Sequence, residues 1–350
     1  MFFKQFYLQG LGHASYLVGS EQTGEALLFD PRRDVDGYFE AARMQGLRVR
    51  FAADSHGHND YLSGLTEVAA RGDVELLGSA EGELGYARRP LHHGEQLEFG
   101  EVGIEVLHTP GHTPEHISLL VHDRDASAEV PAMLLSGGRC WWAIWFVRTC
   151  SVARSRPRSP PGCSARPSNR RSWSCPTTSR CSPPTWPGRC GGNIGSRLST
   201  TLGYERRTNA ILAKISSEGE FVEQCLRLDN LPAVPPYWKR MRRQNLAGVA
   251  PLGVLAEPVA LEPHALEQAI GDGAVVLDTR SPEAFGGGHV PGALNVGLDG
   301  AFATWAGTVL PEDAAVVLVL DLPADLWSAT WELLRIGYPP PLGWLAGGMM

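Results

Sequence analysis

The sequence has little cysteine outside one stretch of the chain. Six of its seven cysteines lie between Arg139 and Cys190, Cys225 stands alone, and no CxxC pair occurs. A disulfide framework or a structural zinc site therefore finds little support. Apolar runs approaching the roughly 20 residues of a membrane span are also missing, and the opening "MFFKQFYLQG" turns polar too early for a signal peptide. We therefore predict a cytoplasmic protein that does not bind membranes.

Acidic residues and lysine are missing from that same stretch. Residues Arg139 to Cys190 contain ten Arg and no Asp, Glu or Lys, so the rest of the chain has 21 basic and 38 acidic residues, a net charge of −17. An acidic surface repels a phosphate backbone. We therefore predict that nucleic acid is not a partner. The composition leaves the oligomeric state open, with a homo-oligomer among the allowed assemblies.

The 350 residues are enough for two domains of ordinary size. Up to Leu135, short apolar runs alternate with turns and with two helical patterns, over Val35–Gln45 and Tyr61–Ala70, which predicts sheets covered by helices. A second α/β unit follows, after a linker. We therefore predict an α/β fold with a first domain over 1–246, a linker over 247–258 and a smaller domain over 259–350. The strand-like runs of the first domain are SYLVGS, ALLFD, VRFAAD, VELLGS, IEVLHTP and HISLLVH.

Two histidine-rich loops follow predicted strands of the first domain. "AADSHGHNDYLSG" places His56, His58 and Asp60 at alternating positions, and "HTPGHTPEH" places His112 after a glycine that frees the backbone to turn. Imidazole and carboxylate are the ligands that divalent transition metals prefer. Two such clusters after two strands predict a metal site. His116 lies close to His112, and its role stays open at this point.

The H-x-H-x-D and TPGHT motifs resemble those of the metallo-β-lactamase superfamily, which implies an αββα sandwich with a metal site at one edge. Dizinc hydrolases of that superfamily have a further histidine directly after the Asp, where this chain has Tyr61. "HNDYLSG" resembles the persulfide dioxygenase branch, which holds a single Fe(II) through two His and one Asp. The resemblance implies His56 and His112 as metal ligands and His58 and Asp60 as catalytic groups beside them.

The third ligand of that branch is an Asp in a GDxxR pattern, expected directly after "AMLLSGG". The Trp- and Arg-rich segment over 139–189 occupies that place. Read one base out of frame, its codons permit LVGDLVRTDLL, with the Asp spanning Ala143 and Ile144. Farther on they permit a second histidine that spans Pro184 and Thr185. We therefore interpret 139–189 as the product of a compensated frameshift, in the gene or in its sequencing. A natural basic insertion is the alternative.

The second domain resembles a rhodanese-like module. "GAVVLDTRSPEAFGGGHVPGALNV" carries the matching residues, among them Asp278 and Arg280. Rhodanese sulfur transfer needs a cysteine in the loop after the strand that corresponds to "VVLVL", and that loop reads "DLPADLWSA". The resemblance therefore implies a cysteine-less domain with a docking role, truncated at "LAGGMM", where the family continues with a closing helix.

The resemblances imply three candidate functions. The first is an iron-dependent persulfide dioxygenase that oxidises a low-molecular-weight thiol persulfide, such as glutathione persulfide, with dioxygen to sulfite and thiol. The second is a zinc-dependent thioester hydrolase of the glyoxalase II type, with metal-bound hydroxide as nucleophile. The third is a catalytically dead scaffold, because both domains lack a key residue.

Overall fold

The computed structural model describes residues 1–8, 10–137, 180–182, 198–208, 217, 220 and 236–348. Two six-stranded sheets come from the first part of the chain, and a five-stranded sheet comes from the last part. Among the described residues, no helix is both long and apolar enough to cross a membrane. The segment interpreted as frameshifted lies outside the described residues except for three, 180–182.

The first sheet has the strand order β1-β2-β3-β4-β5-β6. The pairs β1–β2 and β2–β3 are antiparallel, and the chain from β3 to β6 pairs in parallel. Two helices connect the parallel strands, α1 (Asp36–Met44) before β4 and α2 (Leu65–Ala69) after it. The strands are β1 (Phe2–Leu8), β2 (His13–Gly19), β3 (Glu25–Phe29), β4 (Arg48–Ala53), β5 (Glu75–Ser79) and β6 (Arg89–Leu91).

The second sheet has the order β12-β11-β10-β9-β8-β7. All its pairs are antiparallel except β10–β11, which is parallel. A helix, α3 (Leu202–Thr208), follows the last strand. The strands are β7 (Gln96–Phe99), β8 (Val102–His108), β9 (Ile117–Asp123), β10 (Met133–Leu135), β11 (Arg180–Ser182) and β12 (Thr200–Thr201).

Both faces of the first sheet are covered, and β2 shows how the sequence achieves this. Successive side chains of a strand point to opposite faces. Tyr16 and Val18 accordingly enter the core between the sheets, together with Ile104 of β8. Leu17 enters a second core beneath the helices, with Tyr38 of α1. All seven residues of β2 are therefore buried, and the predicted layering of sheets and helices is confirmed.

One predicted helix is shorter than the sequence pattern indicated. The pattern over Tyr61–Ala70 predicted a helix from its first residue, whereas α2 begins at Leu65. Ser63 instead forms an isolated β-bridge with Arg32 and donates its N–H to the side chain of Asn245 at 2.8 Å. Residues before Leu65 are thus held in a turn by tertiary hydrogen bonds that the local sequence does not encode.

A helix, α4 (Trp238–Ala247), precedes the third sheet. This sheet is entirely parallel, with the order β13-β17-β16-β14-β15. Val317 and Val319 of β16 pack on one face of it, while Val316 and Leu318 pack on the other. Both faces are thus apolar, as expected of a parallel sheet between helices. Its elements are β13 (Val259–Leu261), α5 (Pro263–Gly271), β14 (Val275–Asp278), α6 (Pro282–Gly287), β15 (Leu294–Asn295), α7 (Phe302–Val309), β16 (Val316–Val319), a 3₁₀ turn (Pro323–Asp325), α8 (Leu326–Arg335) and β17 (Gly343–Leu345).

The C-terminal unit packs directly against the first. Tyr61 and Leu62 share one apolar cluster with residues of α7 and α8. The Leu62 N–H donates to the Arg335 carbonyl at 2.7 Å, and the Arg335 guanidinium pairs with Asp34 at 2.7 Å. The two units therefore meet at the turn that follows the H-x-H-x-D motif.

A buried ion pair fixes the predicted linker on the first unit. Glu67 of α2 accepts from Arg33 at 2.8 Å and from the Leu252 N–H at 2.9 Å, and Arg33 also donates to the Ala250 carbonyl at 2.7 Å. Because Glu67→Ala would leave the buried guanidinium uncompensated, we expect the free energy of unfolding to fall by about 3–5 kcal/mol in urea denaturation. Glu40→Ala removes an exposed ion pair of α1 and should leave the free energy of unfolding nearly unchanged. Equal losses of unfolding free energy in Glu67→Ala and Glu40→Ala would contradict a stabilising role for the buried Arg33–Glu67 pair.

Candidate metal centre

The loops after β4 and β8 meet and bring two predicted ligands together. The rings of His56 and His112 are 4.6 Å apart between centroids, at an interplanar angle of 76°. The loops are also joined through the backbone, where the Ile117 N–H donates to the Ser55 carbonyl at 2.8 Å. Gly111, just before His112, has a φ of 147°, which side chains disfavour. This glycine turns the chain as the sequence indicated.

His56 is buried and suited to bind a metal through one ring nitrogen. Its Nδ1 lies 2.8 Å from Ser55 Oγ, which leaves Nε2 for a ligand role. Burial, together with the neighbouring His58 and His112, holds the pKa of His56 well below its usual value. The ring is therefore neutral at physiological pH, and only a neutral imidazole can coordinate a metal ion.

His58 lies beside His56, but its ring pairs with the carboxylates of Asp30 and Asp54. The two ring centroids are 4.3 Å apart, while His58 Nε2 lies 3.1 Å from Asp30 Oδ1 and 3.9 Å from Asp54 Oδ1. Burial alone would lower the pKa of His58, but the charge of Asp30 and its hydrogen bond outweigh burial and raise it to about 9. His58 thus holds a proton next to the candidate ligands.

Asp30 and Asp54 are residues of this centre that sequence reasoning missed. Together with His58 they place three potential ligand atoms within 4.8 Å of one another, so this group could itself hold a metal ion. Asp30 adopts a φ of 55°, uncommon for a residue other than glycine. Burial raises the pKa of Asp54 to about 7, and Asp30 adds to that rise. The available signal was an Asp at the end of each of two neighbouring strands, in "LLFD" and "FAAD".

Asp60 and Tyr61 occupy different surroundings although they are adjacent. Asp60 is half-buried, and its charge contributes to the raised pKa of His58. Tyr61 is fully buried, with its ring centroid 4.4 Å from that of His58 and 4.1 Å from that of His13. Burial holds the pKa of Tyr61 well above its usual value, so its hydroxyl stays protonated. Tyr61 therefore packs as an apolar ring where the dizinc hydrolases have a histidine.

His116 proves to belong to the same cluster of rings. It is buried, and its centroid lies 5.1 Å from that of His56. Its Nδ1 lies 2.8 Å from Thr109 Oγ1, which in turn lies 2.9 Å from Ser118 Oγ. Burial lowers the pKa of His116 well below its usual value, so this ring is neutral as well. Four imidazoles thus line the meeting point of the two loops.

In the C-terminal unit, the residues that carry the rhodanese-like resemblance are hydrogen-bonded to one another at the end of β14. Arg280 donates through Nη2 to Asp278 Oδ2 at 2.6 Å and through Nε to Oδ1 at 2.9 Å. Asn295 donates to the carbonyls of both residues, at 3.0 and 2.9 Å. These contacts fix the turn after β14. The loop after β16, where a sulfurtransferase would carry its cysteine, contains none.

Comparison with protein-family profiles assigns both units. The profile of the metallo-beta-lactamase superfamily matches residues 8–126, and that of the rhodanese-like domain matches residues 262–350. The chain carries a metallo-β-lactamase domain and a rhodanese-like domain. The fold expected from the two sequence resemblances is therefore confirmed.

Curated relatives of the metallo-β-lactamase domain carry two different names. A hydroxyacylglutathione hydrolase of Polaromonas sp. is 33% identical over 111 residues, which are 31% of this chain and 42% of that protein. The mitochondrial persulfide dioxygenase ETHE1 of Homo sapiens is 29% identical over 132 residues, 35% of this chain and 49% of that protein. The chain thus spans less than half the length of these relatives, and their names do not choose between the two activities.

Solved structures match over a larger part of the chain. A metallo-β-lactamase from Staphylococcus aureus is 29% identical with a TM-score of 0.79, and the match covers 98% of each chain. ETHE1 from Myxococcus xanthus is 23% identical with a TM-score of 0.53, covering 71% of this chain and 99% of that one. The second likeness concerns the fold alone. The first extends through the rhodanese-like domain as well.

The rhodanese-like domain should be inactive in sulfur transfer. No cysteine follows Cys225, so the domain has no thiol to carry a persulfide. We expect no thiosulfate-to-cyanide transfer and, after incubation with thiosulfate, no added sulfur on peptides from 259–350 by mass spectrometry. A sulfur adduct on one of those peptides would contradict this prediction.

Proposed function

We propose that this chain is a single-metal, persulfide dioxygenase-like metalloprotein, impaired by the loss of one ligand. The observation that carries the proposal is the pair of His56 and His112 on facing loops, with the Tyr61 ring packed against His58, the neighbour of His56. The neutral state of His56 and the bond of its Nδ1 to Ser55 fit an imidazole ligand. Tyr61 supports one metal ion rather than two. The fused rhodanese-like domain supports sulfur chemistry.

The proposed substrate is a low-molecular-weight thiol persulfide. The balanced reaction is RSSH + O₂ + H₂O → RSH + SO₃²⁻ + 2H⁺, in which the outer sulfur is oxidised and dioxygen is reduced. A bound Fe(II) would supply the redox chemistry that brings dioxygen to sulfur. His58 keeps a proton at Nε2 through Asp30, and in this proposal it supplies the proton that the thiol product needs. Asp60 adds negative charge beside His58 and favours its protonated form.

The proposed centre lacks its third protein ligand. The expected Asp belongs after β10, and the sequence from Arg139 to Cys190 contains no carboxylate side chain. That segment lies outside the described residues except for 180–182. With two imidazoles and no carboxylate from this position, the proposed site binds its metal weakly, and turnover is low. Asp60 is the carboxylate proposed to substitute in part.

A zinc-dependent thioester hydrolase is the second candidate. The hydroxyacylglutathione hydrolase names among the relatives favour it, at identities somewhat above those of the persulfide dioxygenases. In that reaction a metal ion lowers the pKa of a water molecule, which attacks the thioester. Tyr61 weighs against this candidate, because the resemblance requires a histidine there for the second zinc.

Metal loading followed by two activity assays separates the candidates. The purified chain is loaded anaerobically with Fe(II) or with Zn(II), desalted and analysed for bound metal. Oxygen uptake with glutathione persulfide by the iron form supports the proposal. Cleavage of S-lactoylglutathione by the zinc form would replace it with the hydrolase. If neither metal is retained and neither substrate reacts, the chain is a scaffold.

A further inference from the structure

Helix α4 (Trp238–Ala247) precedes the rhodanese-like domain. It contacts the loop after β4 that carries the H-x-H-x-D motif. Its residue Asn245 is buried and uses its whole amide group. The Nδ2 donates to the His58 carbonyl at 2.8 Å and to the Tyr61 carbonyl at 2.7 Å, while Oδ1 accepts from the Ser63 N–H at 2.8 Å. One side chain therefore closes the turn that carries the H-x-H-x-D motif.

Arg242, one turn earlier, reaches both metal loops. It donates to the Gly57 carbonyl at 3.0 Å and, through its two Nη atoms, to both carboxylate oxygens of Glu115 at 3.1 Å. Glu115 in turn accepts from the Gly57 N–H at 3.0 Å. Burial would raise the pKa of Glu115, but these hydrogen bonds lower it, so the pair is ionic. Arg242 and Glu115 thus tie the loop of His56 to the loop of His112.

The space around this tie is closely filled. A Cβ atom on Gly57 would lie 2.8 Å from Cδ2 of Leu246 and 3.3 Å from Oε1 of Glu115. Residues three apart on a helix share a face, so Arg242 and Asn245 point together toward the loops. On its other side, α4 contacts the rhodanese-like domain, where Arg240 donates to the Ile336 carbonyl at 3.0 Å. The helix therefore lies between the centre and the second domain.

We infer that Arg242 and Asn245 are positioning residues that set the spacing of His56 and His112 for one metal ion. This inference rests on the proposed function, because only that function requires His56 and His112 to bind one metal ion together. Outer groups that orient metal ligands typically contribute 10- to 100-fold to metal affinity. We therefore expect substitutions at Arg242 and Asn245 to weaken metal binding by about 10-fold or more while the fold is retained.

Co²⁺ alone is the probe, titrated into the metal-free full-length chain by calorimetry and by visible absorption. The variants are Arg242→Lys, which keeps the charge without the fork, and Asn245→Asp and Asn245→Ala, which lose both donors. Arg243→Lys is the matched control, because the Arg243 side chain is 74% exposed on the same helix. We expect weaker binding and an altered ligand-field spectrum in the first three, measured at a temperature at which each variant is fully folded. A purely structural role would lower the thermal midpoints and leave the spectrum of the bound ion unchanged.

Unchanged Co²⁺ affinity and spectrum in the folded Arg242 and Asn245 variants would overturn the inference. If the original chain binds no Co²⁺ that His56→Ala removes, the proposed function fails separately. In that case, amide hydrogen exchange measures whether Arg242 and Asn245 still hold the two loops in place. Faster exchange confined to Gly57 and Ser63 in the Arg242 and Asn245 variants supports positioning, and exchange equal to that of the Arg243 control overturns it.

Discussion

Replacing residues 139–189 with the product of the shifted reading frame should tighten metal binding by at least about 100-fold. Loss of groups that merely orient metal ligands costs about 10- to 100-fold in affinity, and a direct carboxylate ligand should contribute more. The replacement would add the Asp of LVGD to His56 and His112. Competition against a chromophoric chelator measures the change, and metal analysis after desalting should rise from a small fraction to about one ion per chain.

The control is the same replacement with the Asp of LVGD changed to Asn. This variant restores every other residue of the shifted frame, so it separates the ligand from a general repair of the domain. Its affinity should fall back toward that of the original chain. Equal affinities of the two replacements would contradict the ligand assignment, and resequenced DNA with an intact frame unlike LVGD would contradict the frameshift itself.

His56→Ala should abolish the metal binding that the chain retains, because in our proposal His58 is protonated and paired with Asp30, so the Asp30–Asp54–His58 group holds no ion of its own. His56 is the buried imidazole closest to His112, and after its removal the described part of the centre keeps only one of the two proposed ligands. We expect Co²⁺ binding to fall below detection by calorimetry, with the unfolding transition preserved. His92→Ala is the matched control, since His92 is an exposed histidine before β7. Loss of binding in both variants, or in neither, would contradict the assignment.

The sequence predicted those features that depend on short stretches of chain. Apolar runs predicted six of the twelve strands described for the two sheets of the first domain, because a buried strand needs its pattern locally. The H-x-H and GH spacings predicted that His56 and His112 meet, since each follows a strand. Short strands such as β6 and β10 were missed because three residues carry too little pattern.

The supporting groups could not be predicted, because their partners are far apart along the chain. Asp30 reaches His58 only after β3 and β4 pair in parallel. Asn245 binds carbonyls more than 180 positions away, and backbone acceptors leave no mark on the side-chain sequence. The domain boundaries at 246 and 259 stay predictions. The docking of the rhodanese-like domain on Leu62 likewise needed the three-dimensional structure.

This docking gives the cysteine-less domain a structural role. Its α8 accepts the Leu62 N–H through Arg335 and pairs the same residue with Asp34, while α4 lies between it and the metal loops. A domain without its sulfur-carrying thiol can therefore still support the turn of the H-x-H-x-D motif.

Sulfite formation by the iron-loaded, frame-restored chain decides whether the metal centre is that of a persulfide dioxygenase. We predict a single iron ion per chain, and sulfite in an amount equal to the dioxygen consumed when glutathione persulfide is added. Two zinc ions per chain, thioester cleavage and no persulfide-dependent oxygen uptake would contradict that prediction.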